Sequence, residues 1–231
     1  MITISNLQKA YGDDVVLDIP ELTIPNGQCF GLVGNNGAGK TTLFRLIIDL
    51  IQPSSGEVQI NGRNVKGSDE WKAYTGSYLD EQFLLGFLTP DEYFRFLGGI
   101  YNLSAEDINT HLERFETLFN GEVAGVKKYI RDLSKGNVKK TGIASAMIAS
   151  PDIILLDEPF ENLDPTSQIR LKNMITEEKN KRNVTFLISS HDLNHVMEIS
   201  DRIVILEKGK VVKDIIGDKE TLAEVEDYFR G

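Results

Sequence analysis

The chain has almost nothing that could fix a fold covalently or through a metal. One cysteine, Cys29, stands among 231 residues, so an internal disulfide is excluded and no Cys/His spacing suggests a metal site. Its apolar neighbours Phe30, Leu32 and Val33 mark it as a buried strand residue. Positive charge is scarce: 25 Lys and Arg face 35 Asp and Glu, for a formal net charge of −10. That balance argues against a nucleic-acid partner, and no basic stripe offsets it. Long apolar runs are missing, since no window approaches the roughly 18 residues that a membrane-spanning helix needs. The stretch Met1 to Tyr11 also lacks the basic-then-apolar layout of a secretion signal. The expectation is a cytosolic chain that does not itself cross a membrane. Repeats and low-complexity tracts are absent, and the length suffices for a large domain with a real core.

What is present starts with glycine. Gly34, Asn35, Asn36, Gly37, Ala38, Gly39, Lys40, Thr41 and Thr42 follow directly on the apolar segment Cys29 to Val33. They fit the phosphate-binding pattern G-x-x-x-x-G-K-[ST] in its strand–loop–helix context. Glycines let the loop turn back so that successive backbone N–H groups converge on phosphate oxygens. A helix over roughly Lys40 to Leu50 would present its N-terminus and dipole to the anion. Lys40 would reach the β- and γ-phosphates as a point charge, Thr41 would ligate the Mg²⁺ that accompanies the nucleotide, and Thr42 is placed to touch phosphate. The substrate class is therefore a nucleoside triphosphate.

Helical and extended stretches alternate as in an α/β core with a largely parallel sheet. Two regions break the rhythm. Ile2 to Leu7, Val15 to Ile24, Gln28 to Val33 and Glu57 to Ile60 read as strands between turns such as Pro25-Asn26-Gly27 and Pro53-Ser54-Ser55-Gly56. They predict an N-terminal antiparallel β-subdomain over about 1–33 and 53–65. A second region, about 83–149, reads as helical throughout, with helix starts at Thr89-Pro90-Asp91-Glu92 and Ser104-Ala105-Glu106-Asp107. The core then resumes with strand Asp152 to Leu156, helix Pro165 to about Lys181, strand Val184 to Ile188, a short helix after His191 and strand Arg202 to Leu206. Asp218 to Arg230 reads as an amphipathic terminal helix.

The segment Ile153 to Leu156 ends in two carboxylates, Asp157 and Glu158, before Pro159. Alternation along a strand gives the two different surroundings. At the C-terminal edge of a parallel sheet, Asp157 is assigned to the hydrated metal and Glu158 to the attacking water. The competing reading is a buried strand followed by an acidic helix start.

The run Leu133-Ser134-Lys135-Gly136-Asn137 precedes that strand by one helix, about Lys135 to Ala149, and a turn. With it the chain resembles an ABC-type ATPase, the nucleotide-binding subunit of ABC transporters. Members of that family carry a Walker A loop, a signature L-S-G-G-Q, a Walker B strand ending in D-E, a D-loop and a switch histidine. Here the D-loop match is Asn162-Leu163-Asp164-Pro165 and the switch match is His191, and all the motifs keep the family's order over essentially the whole chain. The resemblance implies an α/β P-loop NTPase core, RecA-like and with a mostly parallel sheet, carrying an N-terminal antiparallel β-subdomain and an inserted α-helical subdomain. It implies that two copies, identical or not, pack head to tail around ATP and Mg²⁺. Each nucleotide would be held by one Walker loop and capped by the partner's Leu133 to Asn137. Tyr11 matches the position that stacks on adenine, Glu158 and His191 face the γ-phosphate, and Asp164 communicates across the interface. A separate integral membrane permease subunit would hold the protein at the inner face of the membrane. The competing class is a soluble ABC-type ATPase of translation, repair or regulation, which usually carries a second ATPase domain, a coiled coil or zinc modules.

Some positions depart from the family pattern. Lys135 replaces the first signature glycine and Asn137 the glutamine. Lys135 would either lend charge to the γ-phosphate in trans or point into solvent. At the Q-loop, Glu81 stands where glutamine is usual, with Gln82 one place later, so either residue could approach Mg²⁺ and the water. Such variants occur in exporter-like branches and favour export. The apolar stretch Phe83 to Leu88 sits where the family receives a coupling helix from its membrane partner. Tyr93, Phe94, Phe96 and Tyr101, at helical spacing, read as core; Trp71, His111 and His195 read as packing residues.

Overall fold

The computed structural model describes residues 1–216; the expected terminal helix lies outside the described residues. Among the described residues ten strands, β1 (Ile2–Tyr11), β2 (Asp14–Ile24), β3 (Cys29–Val33), β4 (Ser55–Ile60), β5 (Arg63–Asn64), β6 (Thr75–Tyr78), β7 (Ile153–Leu156), β8 (Thr185–Ser190), β9 (Arg202–Glu207) and β10 (Lys210–Ile216), make two sheets. The first is antiparallel, in the order β2-β1-β4-β5. Ile2, Ile4 and Leu7 of β1 all point inward, and the pairing with β4 slips between Ser5 and Gln8, around Asn6 at φ 48°.

The second sheet has the order β10-β9-β3-β8-β7-β6 and is parallel except for the edge strand β10. The fold is thus the mixed α/β architecture expected, with one correction of membership. β3, grouped with the N-terminal antiparallel strands on sequence, pairs in parallel with β8 and β9. The reason is visible in its residues: Cys29 to Val33 has no polar alternation and is buried throughout, as a central parallel strand must be.

Seven helices complete the described chain: α1 (Lys40–Ile47), α2 (Pro90–Ile100), α3 (Ala105–Arg114), α4 (Glu116–Phe119), α5 (Lys135–Ala146), α6 (Pro165–Arg182) and α7 (Leu193–Met197). Strand alternation divides the core. Ile153, Leu155 and Leu187 face Leu43, Phe44 and Ile47 of α1 and the inner side of the antiparallel sheet. Ile154, Leu156, Phe186 and Ile188 face α5, α6 and the Phe94, Phe115 and Phe119 cluster. Capping boxes start α2, from Thr89 and Glu92, and α3, from Ser104 and Asp107.

The inserted region is less uniform than its sequence suggested. Residues 120–129 form no helix, and α1 stops three residues before the expected Leu50. On α2, Tyr93 and Phe94 are buried whereas Phe96 and Tyr101 are 49% and 39% exposed. The helix has one inward face, and Phe96 falls on the other. Trp71 is buried and donates its indole N–H to the Val65 carbonyl at 3.1 Å.

Candidate functional site

Three strand ends meet at one edge of the parallel sheet. β3 ends in the phosphate loop, β7 ends at Asp157, and β8, which lies between them, ends before His191. The register sets their levels: Val33 pairs with Ser190, and Leu156 with Ile188. Ligands bind at such carboxyl ends in open α/β sheets.

The loop wraps a cleft of about 280 Å³ whose walls include Tyr11, Val16, Asn36 to Thr42 and Glu158. Gly37 and Gly39 adopt φ of 82° and 107°, which a side chain would strain. Lys40, the first residue of α1, is 6% exposed. Its ammonium donates to the Gly34 carbonyl at 2.6 Å and lies 3.1 Å from Glu158 Oε1. Tyr11 stands at the rim, 56% exposed, with the Lys9 ammonium 4.8 Å from its ring centre. A second cleft, about 320 Å³, opens on the other side of Glu158 and is lined by Asp80, Glu81, Lys135, Lys139, Asp157 and Glu161 among others. A larger groove, about 990 Å³ beside α2 and α3, touches none of these groups, so chemistry rather than volume locates the site.

Asp157 accepts the Thr41 hydroxyl at 2.5 Å and, on its other oxygen, the Ser189 hydroxyl. Burial pushes its carboxyl above the ordinary carboxylate range, opposed by those two hydroxyl bonds. A hydroxyl and a carboxylate side by side are hard oxygen donors of the kind Mg²⁺ takes when nucleotide phosphates and waters supply the rest. The residues therefore fit that ion.

A turn rather than strand alternation places Glu158. Strand alternation would send it to the face opposite Asp157, but β7 has already ended and Glu158 takes a φ of 48°. The turn brings its carboxylate back over the loop, with Oε1 at Lys40 and Oε2 accepting from the His191 ring Nδ1 at 2.9 Å and the His191 backbone N–H at 3.2 Å. Its own backbone is held on both sides. The N–H donates to Ser189 Oγ at 2.9 Å, and the carbonyl accepts the Lys139 ammonium at 2.6 Å.

The remaining candidates lie around this centre. Ser134 caps α5, accepting the Asn137 N–H at 3.3 Å, with Leu133, Lys135 and Gly136 beside it and Lys135 in solvent contact. Asp164 caps α6 through the Ser167 N–H and hydroxyl, and those bonds hold its carboxyl below the usual range. Glu81 lines the second cleft, whereas the Gln82 amide turns to Asp80 at 3.1 Å. Sequence reasoning missed Ser189 and Lys139. The first is signalled only by a serine pair closing an apolar strand, the second only by a lysine one helical turn after Lys135.

Comparison with known proteins gives a consistent neighbourhood. Residues 17–161 match the family model for ABC transporters. An uncharacterised ABC transporter ATP-binding protein of Bacillus subtilis, YhaQ, is 36% identical over 216 residues, covering 92% of this chain and 70% of the relative. The solved ATP-binding subunit of an ABC transporter superposes with a TM-score of 0.84 at 27% identity, covering 99% of this chain and 93% of that one. A dimeric bacterial ABC transporter cassette, MJ0796, gives 0.82 at 25% identity, with 94% and 98% covered.

Proposed function

Because this chain belongs to the ABC transporter family of ATP-binding proteins, we propose that it drives a separate membrane-spanning permease through ATP-dependent head-to-tail dimerisation, with export favoured over import. It is an ATP-binding protein and an ATPase. The observation that carries the mechanism is the convergence of Lys40, Asp157, Glu158 and His191 at one sheet edge, within hydrogen-bonding distance of one another or of the loop.

In this reading the loop N–H groups and Lys40 hold the β- and γ-phosphates, and Tyr11 stacks on the adenine. Thr41 and Asp157 would hold Mg²⁺, which when bound neutralises charge on the phosphates. Glu158 accepts a hydrogen bond from the attacking water and orients it in line, while His191 donates toward the γ-phosphate. Glu81, on the second cleft, is better placed than Gln82 to sense the metal side. Ser134 to Asn137 offer a helix N-terminus to the partner's γ-phosphate, and Asp164 faces the partner from the start of α6.

Coupling to the permease runs through the segment after Glu81. Phe83 and Phe87 are exposed there, Phe87 by 62%, and Phe83 lines a small cleft with Ile48, Leu50, Tyr78 and Leu84. That surface suits a short helix from a membrane partner. No helix among the described residues is long and apolar enough to cross a membrane, which fits attachment to the inner face of the membrane through such a subunit. The variant positions Lys135 and Glu81 support the preference for export.

The test is to tag the chain, solubilise native membranes gently and identify what co-purifies at stoichiometric level by mass spectrometry. A polytopic membrane protein is the expected companion. Recovery in the soluble fraction alone, or with ribosomes or DNA, would overturn the transporter role and leave only an ATP-driven dimer switch.

A further inference from the structure

We propose that Lys139 is a positioning residue for Glu158, gripping its carbonyl so that the turn after β7 keeps the carboxylate over the phosphate loop. The inference rests on the reading of Glu158 as the residue that orients the water.

Glu158 sits in a conformation it would not choose. A non-glycine residue at positive φ is uncommon, and the residue before a proline is further restricted toward extended backbone. Glu158 meets both conditions, with Pro159 next in the chain. Such a conformation persists only where the surroundings over-determine it. Two groups from two different elements do so here. Ser189 at the end of β8 accepts the Glu158 N–H, and Lys139 on α5 donates to the Glu158 carbonyl. The serine fixes one side of the residue and the lysine the other, which leaves the carboxylate aimed at Lys40 and His191.

Lys139 is built for holding rather than for solvation. It is 8% exposed, and its nearest carboxylate, on Glu161, is 3.8 Å away and largely in solvent. The carboxylates of Glu158, Asp157 and Glu81 also attract the ammonium from farther off, but the Glu158 carbonyl, at 2.6 Å, is the partner it reaches by hydrogen bond. Its helix matters as well. Lys139 lies one turn beyond Lys135 on α5, the helix whose N-terminus carries Ser134. A displacement of α5 against the sheet would therefore reach Glu158 of the same chain directly.

The test uses the full chain carrying Lys139→Met or Lys139→Arg, with kcat and KM for ATP measured separately and the crystal structure of the nucleotide-free Met variant determined. The expected result is a Glu158 carboxylate displaced from Lys40 and His191, kcat lower by about 10- to 100-fold, as misplacements near 1 Å cost, and KM little changed. Lys139→Arg, which keeps donors at that place, should recover most of the rate. Glu158 left in place in the Met variant overturns the proposal whatever the rate. A KM that rises as kcat falls, without rescue by Arg, also overturns it, because that pattern marks lost packing. A displaced Glu158 with undiminished turnover upholds the positioning role and removes instead the assignment of the water to Glu158. If Lys139→Met does not fold, Lys139→Gln, whose amide is too short to reach the carbonyl, carries the same readouts.

Discussion

Glu158 and His111 are both buried or half-buried titratable residues, and they illustrate opposite uses of that state. Glu158 meets a lysine, a histidine and the edge of a nucleotide cleft. Replacing it with Gln keeps its shape and removes its capacity to accept a proton. Glu158→Gln should still bind ATP, more tightly than the parent because the carboxylate on Lys40 is gone, and lose about 10²- to 10⁴-fold in single-turnover hydrolysis, the range that general bases supply; hydrolysis at the parent rate would refute its assignment. His111 has no chemistry to perform. It lies under α5, donates its Nε2–H to the Ala144 carbonyl at 2.9 Å, packs on Phe115 and leaves Nδ1 without a partner among the described residues. Burial pushes its pKa down to about 4. Between about pH 6.5 and pH 4 the unfolded chain takes up a proton there and the folded chain does not, so stability falls as pH falls through that window. Urea midpoints measured from pH 7 to 4 should reveal a loss of order 3 kcal/mol from this residue, at 1.36 kcal/mol per unit. His111→Gln should flatten that part of the profile.

The contact between α5 and β6 shows what an element's sequence does and does not reveal. A Cβ added to Gly142 of α5 would stand 2.1 Å from the Tyr78 ring, so the helix lies against the strand through a residue with no side chain. Alanine is the better helix former by about 1 kcal/mol, yet Gly142→Ala should destabilise by about 1–3 kcal/mol, as overpacked cores do. A raised urea midpoint would contradict this. The phosphate loop was legible in the sequence because nine consecutive residues carry turn and helix start directly after an apolar strand. The α/β alternation was legible for a similar reason, since β7 and β8 are local apolar runs. The pairing partner of β3 was not, because burial on both faces depends on strands more than 150 residues away. The turn that places Glu158 was not legible for a local reason: alternation holds along a strand, and the strand ends two residues earlier. Ser189 and Lys139 act across elements, and no spacing in the chain brings them to Asp157 and Glu158.

At the scale of the whole molecule, charge opposes the association that the proposed cycle needs. Each chain carries a formal −10, so two copies packed head to tail repel over distances that salt screens, about 10 Å at 0.1 M. Light scattering of the Glu158→Gln chain with ATP should therefore report monomers at very low ionic strength and a doubling of mass as salt approaches 0.15 M. A dimer that weakens with added salt would show that attractive pairs across the interface dominate. The same accounting of charge applies inside the site. Lys40 is almost fully buried, and Glu158 is the carboxylate that answers it. A buried cation without an anion is costly, and an arriving phosphate would have to displace that carboxylate before it could claim the lysine. The protein thus holds its substrate's place with a residue of its own. On the proposed assignment, the carboxylate that would direct the water is also an internal counter-charge for Lys40, in reach of the cation once phosphate has left.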